Sequence, residues 1–147
     1  TSFMNKNLPR GARMALEMLQ KLDPTSRKKI LALMKEKDPD ITSFLEENLI
    51  QFNDLIYLTK TMIIELLKEV DIYLIALSLR SADENLQEHI KNNISKNLCK
   101  EIDEVLSGPP VRLSKVNEAQ NKIVEVMKRK SDEGKFVFNP NSKDKYV

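Results

Sequence analysis

A single cysteine, a single histidine, three glycines and no tryptophan in 147 residues leave little material for several kinds of chemistry. Cys99, alone, excludes an intrachain disulfide and fits a reducing compartment. It reads as a small helix residue near the edge of a core. A Ser/His/Asp triad would have to rest on His89, which reads instead as a solvated helix histidine between Glu88 and Ile90. Cys99 and His89 together match no common zinc-ligand spacing, and the acidic clusters are interleaved with lysine, so no metal site is expected. Gly11, Gly108 and Gly134 are too scattered to form a phosphate loop. An enzyme with a bound cofactor is therefore not indicated.

Charge of one sign is missing as well. Lys and Arg number 24 against 22 Asp and Glu, a formal net charge of +2, which is no field for steering toward nucleic acid or an anionic membrane. No apolar run is long enough to span a bilayer. Thr1 opens the sequence and no basic-then-apolar signal follows, so the chain reads as a fragment or processed form of a cytoplasmic protein.

What remains is helical. Charged residues make up 31% of the chain, aromatics 5% and hydrophobic residues 41%, a balance usual for soluble all-α proteins with solvated faces and one or two cores. From Arg10 to Leu22 one face carries Ala12, Ala15, Leu16, Leu19 and Leu22. Asp23-Pro24 and Asp38-Pro39 each join an N-cap to a first-turn proline. The helices they start carry Ile30, Leu31 and Met34, then Ile41, Phe44, Leu45 and Leu49, making a compact repeat-like unit. At Leu49-Ile50-Gln51-Phe52 the spacing fails and Asn53-Asp54 interrupts it, a candidate hinge. Thr59 and Asp71 are the expected caps of two short helices. A final helix turns Val116, Ala119, Ile123, Val126 and Met127 inward and stops near Asp132-Glu133-Gly134. Phe136-Val137-Phe138 can dock as a short extended piece, and residues 139–147 read as a polar, mobile tail.

The richest stretch runs from Ser81 to Lys130. Ser81-Ala82-Asp83-Glu84 reads as a capping box, followed by one apolar stripe of Leu86, Ile90, Ile94, Leu98, Ile102, Val105 and Leu106. Asn97, Glu101 and Glu104 share one outer face, and Lys96, Lys100 and Asp103 the next. Gly108, free to take positive φ, and Pro109-Pro110 then force a bend before Ser114 caps the following helix, which leaves Arg112 close to the acidic end of the first. Exposed ion pairs contribute only about 0–1 kcal/mol each, so by themselves these charges read as a solvated face.

Gly108-Pro109-Pro110-Val111-Arg112-Leu113-Ser114, followed by Val116, Glu118-Ala119-Gln120 and Ile123-Val124-Glu125, resembles the C-terminal domain of the bacterial flagellar motor switch protein family FliG. The likeness extends upstream, in the family's order, through Phe52-Asn53-Asp54-Leu55, Leu67-Lys68-Glu69-Val70-Asp71, residues 76–82 and Asn93-Ile94-Ser95-Lys96. Leu8 to Leu49 looks like the armadillo-like unit that precedes this domain.

The resemblance implies an all-α fold: an armadillo-like stacked-helix unit over 8–52 with a hinge at Leu49, Ile50, Gln51 and Phe52, a compact helical torque domain over 53–138, and the tail. It also implies a rotor component of the C-ring at the cytoplasmic face of the inner membrane. Its implied partners are the stator protein MotA, FliM and neighbouring FliG subunits, with no nucleic acid, no membrane insertion and no cofactor. Carried over by position, Arg80, Asp103, Glu104 and Arg112 are its stator-facing charges. Asn97 stands where the family has an arginine. The loop before the turn is one residue shorter, so the family's acidic pair falls on Asp103-Glu104 or on Glu104-Val105. A stacked-helix adaptor without stator contact is the alternative reading.

Overall fold

In the computed structural model residues 10–138 are described, and every regular element among them is helical. The mobile tail expected over 139–147 lies outside the described residues, as do residues 8 and 9 of the expected first unit. Among the described residues no helix is long and apolar enough to cross a membrane. The fold is all-α, and its described residues form two compact units, 10–50 and Gln51–Phe138.

The first unit is armadillo-like, with α1 (Arg10–Lys21), α2 (Pro24–Lys37) and α3 (Pro39–Asn48). Its punctuation is local. The Asp23 carboxylate accepts the Ser26 N–H at 3.1 Å, and that of Asp38 accepts the Ile41 N–H at 3.2 Å. Prolines 24 and 39 sit in the first turns, where a missing N–H costs nothing. Helix α3 packs on both α1 and α2. Leu16, Leu19, Leu45 and Leu49 form the core, with Ala15, Leu22, Leu31 and Met34 packed against it.

Two expected core residues are exposed instead, Ile30 and Ile41. The buried side of α2 follows Arg27, Leu31 and Met34 at spacings of four and three, which leaves Ile30 a step around the helix. On α3 the stripe is Thr42, Leu45 and Leu49, and Ile41 falls beside it. Arg27 is buried and donates Nη1–H to the Leu19 carbonyl at 3.5 Å; burial lowers its pKa and the Asp23 charge opposes that. Gln20 ends the unit by holding both main-chain groups of Ile50. Its Nε2 donates to the Ile50 carbonyl at 2.7 Å, and its Oε1 accepts the Ile50 N–H at 3.0 Å.

The second unit opens with a 3-10 turn, Phe52–Tyr57, in which the half-buried Asp54 carboxylate accepts the Gln51 N–H at 2.9 Å. Burial raises the Asp54 pKa, with the Gln51 N–H pulling the other way. Then come α4 (Lys60–Leu67), capped by Thr59, and α5 (Ile72–Ser78), capped by Asp71, as the sequence suggested. Helix α5 is apolar nearly all round, which suits a helix covered on several sides. Ile75, Ala76, Leu77 and Ser78 are buried, and the helix packs against both of the long charged helices that follow.

The long helix expected after Ser81 is two helices. Ser81 ends a 3-10 turn, Leu79–Ser81, and the Asp83 carboxylate caps α6 (Glu84–Lys91) by accepting the Leu86 N–H at 2.9 Å. Asn93 folds its side-chain amide back onto the His89 carbonyl at 2.7 Å, and Ser95 caps α7 (Lys96–Leu106). The apolar stripe survives the break: Leu86, Ile90 and Ile102 are buried, and Ile94, Leu98, Val105 and Leu106 half-buried. His89 is only partly solvated. It is half-buried, and its Nε2–H donates to the Leu58 carbonyl at 2.8 Å. The Cys99 thiol donates to the Lys91 carbonyl at 3.1 Å.

Helix α8 (Leu113–Asp132) buries Val116, Ala119, Ile123 and Met127, while Val126 is half-buried. Gly134, with φ of 77°, turns the chain after it, a backbone conformation that favours glycine. Phe136 and Phe138 then pack edge to face, their centroids 5.7 Å apart, with Val137 exposed between them.

Lys130 lies on the apolar stripe of α8 and is buried. Its ammonium reaches Glu69 at 2.7 Å, and Arg129 pairs with the same carboxylate. Hydrogen bonds from Arg129 and then Lys130 hold the Glu69 carboxyl at about 2. Because the folded value lies below the unfolded 4.5, this contribution is complete above 4.5 and disappears as pH falls toward about 2. Glu69→Gln should therefore lower the melting temperature near neutral pH, and the gap from wild type should close across that acidic window in thermal melts. A gap independent of pH would remove the cluster from the account of stability.

Candidate functional site

The outward faces of α7 carry Lys96, Asn97, Lys100, Glu101, Asp103 and Glu104, all exposed. They point outward because Ile102 and the half-buried Leu98, Cys99 and Val105 take the inner stripe. Asp103 pairs with Lys91 at 2.8 Å, which ties α6 to α7 and raises the Lys91 pKa, mainly through that hydrogen bond. Among the described residues Glu104 makes no ion pair.

The chain then turns through Gly108-Pro109-Pro110 into α8. Gly108 does not take positive φ, contrary to the sequence expectation; what favours glycine there is closeness. A Cβ there would stand 3.3 Å from both the Glu104 and Val105 carbonyl oxygens, and 3.9 Å from the Arg80 guanidinium. The two prolines are exposed, and Val111 anchors the turn by packing on Leu77, Val116 and Ala119. Ser114 is not the cap of α8. The helix starts at Leu113 without a side-chain cap, and the Arg112 carbonyl accepts from the Lys115 and Val116 N–H groups at 3.0 and 3.3 Å. The Arg112 side chain is exposed and has no ion-pair partner among the described residues.

Arg80 differs from the other three charges. It is half-buried, and its guanidinium donates Nη1–H to the Val105 carbonyl at 2.6 Å and Nη2–H to that of Gly108 at 3.5 Å. Helix α7 thus ends on a cation, where its last carbonyls lack helical partners. Gln120 of α8 donates to the Ser78 carbonyl at 2.9 Å and to the Ser81 hydroxyl at 2.8 Å. Gln87 of α6 donates to the carbonyls of Leu79 and Ala82 at 2.9 and 3.3 Å.

The family model described as the FliG C-terminal domain matches residues 32–138. The chain belongs to that family. It is 34% identical to the flagellar motor switch protein FliG of Thermotoga maritima over 129 residues, which are 87% of this chain and 38% of that protein. FliG of Aquifex aeolicus is 31% identical over 127 residues, 86% of this chain and 39% of that one. The chain thus spans 38% and 39% of the length of these two relatives. The crystal structure of Helicobacter pylori FliG residues 86–343 superposes with a TM-score of 0.63 at 26% identity, covering 90% of this chain and 63% of that one. Full-length FliG from Aquifex aeolicus gives 0.57 at 29% identity, covering 91% and 42%.

Within this FliG C-terminal fold, Leu49 and Ile50 of the expected hinge are buried, Gln51 is exposed, and half-buried Phe52 opens the 3-10 turn. A polar residue at the third hinge position agrees with its exposure. Sequence reasoning passed over Gln20, Gln87, Gln120 and Lys130. For Lys130 a signal existed, since it continues the spacing of Ile123 and Met127. For the three glutamines spacing gave none, because their partners, backbone groups and the Ser81 hydroxyl, lie 5–42 residues away.

The turn at Gly108 gives a direct prediction. Gly108→Ala forces a methyl against two backbone oxygens that cannot rotate away, so it should destabilise the protein by about 1–3 kcal/mol in urea titrations. An unchanged midpoint would show that the turn has room to spare.

Proposed function

We propose that this chain is part of a flagellar motor switch component of the rotor C-ring, which couples to the stator through charged side chains, generates torque and sets rotation direction. The observation that carries this reading is the outer surface around the turn. Glu104 on α7 and Arg112 at the N-cap of α8 stand exposed and, among the described residues, without ion-pair partners, and both helices pack against the same buried helix α5. Charges placed so carry an orientation without carrying the fold, which suits a contact made and released repeatedly. Asp103, exposed but tethered to Lys91, belongs to the same surface, and Arg80 lies behind it. The role is contact, not bond chemistry.

The proposed partners are the cytoplasmic loop of the stator protein MotA at this surface, with FliM and neighbouring FliG subunits elsewhere in the ring. The assembly would lie at the cytoplasmic face of the inner membrane in the flagellar basal body. Hinge motion about Leu49 to Phe52 would relay switching between the units. One observation favours the second reading, a stacked-helix adaptor: Met14, Met18 and Leu33 of the first unit are 54%, 68% and 64% exposed.

Charge reversal separates the two readings. Glu104→Lys and Arg112→Glu should each cut swimming several-fold while the unfolding midpoint stays within the scatter of ordinary surface substitutions. Binding to a MotA loop peptide should weaken steadily as salt approaches about 1 M, where the screening length falls to about 3 Å. Normal swimming by the double reversal, or binding indifferent to salt, would transfer the case to the adaptor.

A further inference from the structure

Among the four charges of this surface, Arg80 is the one whose guanidinium already has a structural occupation. Val105 and Gly108, its two acceptors, lie 25 and 28 residues ahead in sequence. They bracket the exit of α7, where helical carbonyls are left without intrahelical donors. Ser107 serves the other carbonyls of that last turn, its hydroxyl donating to Asp103 at 2.7 Å and approaching Glu104 at 3.5 Å. The Gly108 N–H reaches Val105 at 3.1 Å. Arg80 therefore supplies the only cation bonded to that terminus among the described residues, at the end where the helix dipole favours one.

The base from which Arg80 reaches is itself fixed. Ser78 and Leu79 are fully buried just before it, Gln120 holds Ser78 and Ser81, and Gln87 holds Leu79 and Ala82. Side chains from α6 and α8 thus grip the main chain on both sides of a residue whose own side chain grips α7.

We propose that Arg80 is a positioning residue: it clasps the end of α7 to the 3-10 turn after α5 and thereby sets where Asp103, Glu104 and the turn to Arg112 stand. Its charge acts on helix carbonyls inside the protein and is not offered to a partner. A guanidinium is needed because its fork reaches two oxygens with fixed geometry, whereas a lysine ammonium is a single point on a flexible stem. The functional half of this proposal rests on the torque-surface reading given above; the structural half does not.

Arg80→Lys, which keeps the charge and removes the fork, is the discriminating variant, with Arg80→Gln beside it. Amide hydrogen exchange should show the Ser107 and Gly108 N–H groups opening about tenfold faster in both, the loss of roughly one charged hydrogen bond. Amides of Ile63 and Met127, in the buried core, serve as the control for global unfolding. Cells carrying Arg80→Lys in the full-length protein should swim as poorly as those carrying Arg80→Gln. If Arg80→Lys swims like wild type while Arg80→Gln does not, charge alone matters and the positioning role is overturned. Unchanged exchange at Ser107 and Gly108 overturns the clasp itself. If instead Glu104→Lys and Arg112→Glu swim normally, the torque surface fails, and the exchange result still decides the clasp.

Discussion

The second unit depends on the burial of α5. A helix of seven residues cannot persist alone, since nucleation costs more than so few hydrogen bonds return. What keeps Ile72–Ser78 helical is that Ile75, Ala76, Leu77 and Ser78 are covered by α7 and α8, and both of those helices depend in turn on α5 as their common floor. The relation is mutual, so the charged outer faces inherit their positions from an apolar contact. This explains how a chain nearly balanced in charge can display a defined pattern of acids and bases whose positions are set by apolar packing first and by a few ion pairs second.

Polar side chains finish what burial leaves undone. Glutamines 20, 87 and 120 and Arg80 each take up backbone groups at places where the chain leaves a helix. At such places hydrogen-bonding groups are orphaned by geometry, and a buried orphan costs more than a made bond contributes. Lys130 and Glu69 are a different case, where a buried ammonium needs its carboxylate.

How far the sequence was legible follows from the range of each interaction. Asp23, Asp38, Thr59 and Asp71 were readable as caps because donor and acceptor lie three residues apart. Ser81 was misread because two candidate caps, Ser81 and Asp83, stand two residues apart. Gln120, 39 residues away, engages the hydroxyl of Ser81 in the fold, and Asp83 caps the helix. His89 was misread for a similar reason: its acceptor is a backbone oxygen 31 residues upstream. The place of glycine in the turn at 108 was legible, but the cause was not, since close approach of carbonyls leaves no mark on composition. Of the four charges, exposure followed helical phase for Asp103 and Glu104, whereas the carbonyls that occupy Arg80 belong to residues of any type.

Consider finally the peptide bond between Ile50 and Gln51. On one side both main-chain groups of Ile50 are satisfied by Gln20, and on the other the Gln51 N–H is satisfied by Asp54. Each unit closes its own hydrogen bonds right up to the junction, so extra residues spliced in there would orphan nothing buried on either side. The seam is thus a natural site for insertion, and the grip on its first side, being a neutral amide, would loosen with neither acid nor salt.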